Sequence, residues 1–140
     1  ENLCALYHYN YGVEYVIARC FAFIGPYLPL DAHFAIGNFI RDGLNGSPIL
    51  VKGDGTTLRS YLYSDDLAEW LWRILTSGRV GKAYNVGSDK VITIADLAHL
   101  VSSCFDYKPE VLIKGKPYTD RGSKIITITV NKDFIIYIPK

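Results

Sequence analysis

GDGTTLRSYLYSDDLAEW, residues 53–70, holds three local signals in close succession. The glycines and threonines of GDGTT mark a turn. LRSYLY, rich in leucine and tyrosine, reads as a strand. Ser64, Asp65 and Asp66 then open a helix that runs through Leu75. Asp66 and Glu69 have the spacing of a capping box, and both aspartates suit the positive end of the helix dipole. Two adjacent acids also suggest an acid/base pair or metal ligands, but the capping arithmetic assigns them to structure. Turn, strand and helix in this order predict an α/β chain. They also leave Arg59, beside a glycine-rich turn, as the residue whose chemistry needs an explanation.

Working outward, SPILVK reads as a strand, and HFAIGNFIRDGLNG has helical spacing through Phe34, Ile36, Phe39, Ile40 and Leu44, ended by Asn45-Gly46. VEYVIARCFAFIG is a largely apolar run that predicts a strand buried on both faces, broken at Gly25-Pro26. ENLCALYHYNYG reads as the second half of a helix, with Leu3, Leu6 and Tyr7 on one face and Gly12 as its left-handed stop. No cap precedes it, so the chain is expected to be a fragment. Downstream, KAYNVGS and PEVLIK read as strands, and Thr93 caps a helix whose Ile94, Leu97, Ala98 and Val101 face a core. The β-branched, aromatic tail predicts strands over 125–130 and 134–138.

The 140 residues are 49% hydrophobic, enough for one core, and the formal net charge of +1 gives no bulk attraction to nucleic acid or an anionic membrane. No apolar run approaches the roughly 20 residues of a membrane span, and no leader is visible. Cys4, Cys20 and Cys104 are odd in number and widely spaced, which predicts buried, reduced thiols in a cytoplasmic protein. The three histidines share no ligand spacing, and no metal site is expected. The sequence contains no glycine-rich nucleotide loop and no tyrosine followed four positions later by lysine, so no catalytic residue is assigned.

The order of the pieces resembles the extended short-chain dehydrogenase/reductases, the NAD-dependent nucleotide-sugar epimerases, dehydratases and decarboxylases, with the dTDP-glucose 4,6-dehydratase-like branch nearest. Four markers carry the resemblance: Arg19, Phe21, Gly25 and Pro26; Gly53, Gly55, Arg59, Ser60 and Tyr61 followed by Ser64, Asp65 and Asp66; Tyr84, Asn85 and Gly87; and Thr93, Ile94 and Leu97. It covers residues 1 to about 105. Ala22 stands where the family commonly has an asparagine, and the tail departs from the family pattern.

The resemblance implies a single domain over 1–140, a partial fold without the Rossmann nucleotide-binding half: residues 1–30 end the Rossmann portion and 31–140 form the substrate-binding portion. It implies that Arg59 holds the diphosphate of a nucleotide sugar, a role that suits a planar guanidinium fork. Gly53 would let the ligand approach the backbone, Ile49 and Val51 would hold the nucleobase, and Asn38 would add a contact. Phe21 and Ala22, at a strand's carboxyl end, would face the nicotinamide of NAD in a complete enzyme. The chain alone is expected to bind no NAD tightly and to show no turnover, and to pair with a second copy. A non-catalytic binding or interaction module derived from the family is the competing expectation.

Overall fold

A computed structural model of the chain describes residues 1–116. These fall into two compact units: Glu1–Ile24 with Tyr61–Ser88, and Gly25–Ser60 with residues 89–116. The tail strands expected over 125–138 lie outside the described residues.

In the first unit, helix α1 (Asn2–Tyr11) stops at Gly12, whose φ of 66° is the left-handed conformation that glycine adopts without a Cβ penalty. Strand β1 (Ile17–Cys20) follows, then the short β2 (Phe23–Ile24). After the chain returns at Tyr61, β5 (Leu62–Tyr63), α3 (Ser64–Ser77) and β6 (Ala83–Val86) complete the unit. β1 pairs parallel with β6, and β2 parallel with β5. The core is built on Leu62, Ile74 and Val86, with Val16, Ala18, Leu67, Trp70 and Tyr84 packed against them.

The second unit holds α2 (Ala35–Leu44), β3 (Ile49–Val51), β4 (Leu58–Arg59), β7 (Ile92–Thr93), α4 (Ile94–Ser103) and β8 (Val111–Ile113). β3 pairs parallel with β8, and β4 antiparallel with β7. α2 and α4 pack on each other and on β3. Their buried residues, Ile36 and Phe39 on α2 and Leu97, Ala98 and Val101 on α4, close over Ile49 and Val51. Helix α2 tolerates Gly37 because a Cβ there would stand 2.8 Å from the Pro29 carbonyl oxygen: the loop lies directly on the helix. Thr93 caps α4 as expected, its hydroxyl accepting from the Asp96 N–H at 3.0 Å.

Several expectations are corrected. LRSYLY is not one strand: β4 ends at Arg59, β5 begins at Leu62, and the two pair with different partners in different units. No side chain caps α3, whose N-cap is Tyr63, so Asp66 and Glu69 form no capping box; Asp65 and Asp66 still lie in its first turn. β1 is half-buried to exposed rather than covered on both faces, since β6 is its one strand partner among the described residues. The three cysteines are free but exposed, on α1, at the end of β1 and at the C-cap of α4.

Candidate functional site

The turn before Arg59 is held at both ends. The Asp54 carboxylate accepts the Thr56 N–H at 3.0 Å and the Thr56 hydroxyl at 2.9 Å, a local turn that fixes the GDGTT backbone. The carbonyls of Gly55 and Thr57 accept the N–H groups of Ala95 and Ile94, each at 3.0 Å, so the turn occupies the first-turn donors of α4. Gly55 has φ +78°, and a Cβ on it would meet that of Ala95 at 2.8 Å. Gly53 is the opposite case: a Cβ there would meet nothing within 4 Å. The two glycines thus divide the work, one packing the turn on α4 and the other leaving the Cβ side of its backbone open.

Arg59 is exposed and pairs in register with Ile92. Its Nη1 donates to the Leu58 carbonyl at 2.9 Å, and among the described residues no carboxylate forms an ion pair with it. A guanidinium carries five N–H donors, so most of this fork remains available to a ligand.

Ile49 and Val51 are 0% and 1% exposed, so their side chains belong to the core and reach no ligand. Side chains alternate along a strand, so Leu50, half-buried, and Lys52, exposed, take the opposite face. Sequence reasoning missed this pair. Ile49, Leu50 and Val51 are apolar in an unbroken run, so the sequence carries no phase, and which face turns inward depends on where α2 and α4 lie. Asn38 is half-buried, and its Oδ1 accepts from Arg41 Nη1 at 3.1 Å. Arg41 also donates to Asp42 through Nη2 at 2.9 Å and to the Leu30 carbonyl at 3.5 Å, so Asn38 belongs to a network that ties α2 to the loop before it.

In the first unit, the Phe21 N–H donates to the Val86 carbonyl at 2.9 Å, and the Ala22 carbonyl accepts from Leu62 N–H at 3.0 Å. The Phe21 ring lies over Gly87, where any Cβ would strike it. Phe21 therefore stands at the carboxyl ends of β1 and β6, backed by bare backbone and 39% exposed. This is the side where ligands of open parallel sheets lie. Nearby on β1, Arg19 makes a two-point ion pair with Glu1, 2.7 Å at each contact. That hydrogen bond holds the Glu1 carboxyl below its ordinary value and raises Arg19. Asp65 and Asp66 are exposed, and no group of histidine, cysteine and carboxylate among the described residues has metal-binding geometry. His8 contacts the Val13 carbonyl through Nδ1 at 2.8 Å, while His33 and His99 are exposed. No helix of the described residues is long and apolar enough to cross a membrane.

NAD fits these residues only in part. The Phe21 ring offers an apolar surface, but the glycine turn at 53–55 leads into β4 and not into a helix. Among the described residues no strand-to-helix glycine loop is present to receive a dinucleotide's phosphates.

Comparison with known proteins fits this geometry. UDP-glucuronic acid decarboxylase 1 of Arabidopsis thaliana is 36% identical over 119 residues, 85% of this chain and 27% of its own length. The crystal structure of DesIV, a dTDP-glucose 4,6-dehydratase from Streptomyces venezuelae with NAD and TYD bound, superposes with a TM-score of 0.66 at 27% identity, over 80% of this chain and 35% of that one. UDP-glucose 4-epimerase from Thermotoga maritima with UDP-glucose shares the fold, with a TM-score of 0.74 at 22% identity, over 85% of this chain and 38% of that one. The chain thus spans well under half the length of these relatives. The model of the NAD dependent epimerase/dehydratase family matches residues 1–87, and the chain belongs to that family.

Proposed function

We propose that the chain is the nucleotide-sugar-binding portion of an NAD-dependent epimerase/dehydratase, with Arg59 as its diphosphate ligand. The observation that carries the reading is the state of Arg59: exposed, with one N–H given to its neighbour's carbonyl and no carboxylate paired with it among the described residues. It follows a turn whose Gly53 leaves the Cβ side of the backbone open. A diphosphate needs such a fixed fork. Relatives that act on or bind UDP- and dTDP-sugars support the class of ligand.

On this reading Ile49 and Val51 hold β3 in place, and the nucleobase rests against its opposite face at Leu50. Asn38 offers a ligand only its Nδ2, because Arg41 holds its Oδ1. Residues 1–30 end the dinucleotide-binding portion, and Phe21 and Ala22 mark where a nicotinamide would lie. The chain lacks the glycine loop and the tyrosine–lysine pair, so we assign it binding and no turnover by itself. Exposed Leu3, Leu6 and Tyr7 on α1 support pairing of two copies. The exposed, free thiols suit a reducing cytoplasm.

The test is calorimetric titration of wild type, Arg59→Ala and Arg59→Lys with UDP and dTDP, with circular dichroism as the fold control. Losing a bidentate charge-assisted contact costs about 1.5–3 kcal/mol, roughly ten- to a hundredfold in affinity. Lysine restores part of it, since a point charge replaces the fork. Equal binding by Arg59→Ala, or no binding by wild type, would count against the proposal.

A further inference from the structure

We infer that the carboxyl ends of β3 and β8 form a second oxyanion subsite, made by Lys52 and Lys114, for a phosphate-type group. The register pairs Val51 with Ile113. The ladder runs on past both strand ends, with the Lys114 N–H donating to the Val51 carbonyl at 2.9 Å and the Gly115 N–H to the Gly53 carbonyl at 3.0 Å. Lys52 and Lys114 therefore stand on one rung, their backbones about 4.8 Å apart. Val51 is buried, so Lys52 lies on the opposite face with Leu50, and Lys114 shares that face with Leu112.

Both lysines are exposed, and neither has a carboxylate ion-pair partner among the described residues. The backbone holds them together. Gly115 has no room for a Cβ because the backbone of Gly53 and Asp54 fills that space, so the two chains touch just beyond the lysines. On the other side Gly53 is open: a Cβ built there would meet nothing within 4 Å. Like charges on facing strand positions are unfavourable unless something neutralises them. Two ammonium groups bring six N–H donors to a group rich in acceptor oxygens. This subsite lies on β3 and β8, Arg59 on β4, and the inference stands whether or not Arg59 binds a diphosphate.

The phosphate could be free or carried by a nucleotide, so the experiment uses pyrophosphate and UDP separately. Thermal unfolding is followed at constant ionic strength with increasing amounts of each. Wild type should show a saturable rise in Tm with pyrophosphate. The variants are compared in an Arg59→Ala background, so that the diphosphate ligand proposed above does not contribute: the rise should persist there, Lys52→Arg should retain it, and Lys52→Gln and Lys114→Gln should each weaken the apparent affinity about tenfold. If UDP also acts through the two lysines, the group is nucleotide-borne; if only pyrophosphate does, it is free. The inference is overturned if the Arg59→Ala background shows no saturable rise, or if the glutamine variants in that background keep it in full.

Discussion

Gly55→Ala is the substitution for which the structure gives the most definite cost. Gly55 has φ +78°, and holding an L-residue in that region costs about 1–2 kcal/mol. The new methyl would stand 2.8 Å from the Ala95 Cβ and 3.4 Å from its Cα, an overpacking of the kind that costs about 1–3 kcal/mol. Moving the turn away relieves the clash but stretches two hydrogen bonds, from Ala95 to Gly55 and from Ile94 to Thr57, each worth about 0.5–1.5 kcal/mol. These costs trade against one another, so the expected loss is about 2–4 kcal/mol and not their full sum. Gly53→Ala is the control: open space surrounds it and its φ is not left-handed, so a change within about 0.5 kcal/mol is expected. Urea unfolding followed by far-ultraviolet circular dichroism measures both. If Gly55→Ala costs no more than Gly53→Ala, the turn is not seated on α4 as described.

Gly87→Ala should push the Phe21 ring off its seat, at a cost of about 1–3 kcal/mol, and should shift the ring's proton resonances; unchanged resonances would show that the ring does not lie there. The Glu1–Arg19 pair has a defined pH sense. The Glu1 carboxyl titrates below its ordinary 4.5, mainly through the Arg19 hydrogen bond. The pair's fastening of α1 to β1 is therefore complete above that ordinary value and fades as pH falls through the lowered one. Carbon-detected titration of Glu1 should show a midpoint that rises in Arg19→Gln; an unmoved midpoint would mean that the pair does not form in solution.

What was legible in the sequence was mostly what a few neighbouring residues decide. Gly12 stops α1 and Thr93 caps α4 through contacts within one turn of chain, and both were readable. The family markers were readable because they are local runs. Phase and partner choice were not. Ile49, Leu50 and Val51 are all apolar, so SPILVK does not say which of its faces turns inward, and only the covering helices decide it. LRSYLY reads as one strand because its composition says nothing about its partners, and Ile92 and Phe23 lie far away in sequence. Burial of β1 was inferred from apolar composition and burial of the cysteines from their number and spacing, neither of which can report what covers a surface. The seat of Phe21 on Gly87 joins two family markers that the sequence shows only as separate motifs.

The strand pairing sets how this chain can fold. Among the described residues no strand pairs with the strand that follows it: Ile17 meets Ala83, Phe23 meets Leu62, Ile49 meets Val111 and Leu58 meets Thr93. A hairpin closes a short loop and can form early; each of these pairs must first close a loop of tens of residues, with the entropy lost before any ladder bond is made. The path also crosses between the units after Ile24, after Ser60 and after Ser88. Once β1, β2 and β3 have been made, the partners they pair with among the described residues are still to come. The helices, which need only local contacts, are the structures able to form first. Folding is expected to be slow for a chain of this size, with its greatest exposure to aggregation before β6 and β8 emerge.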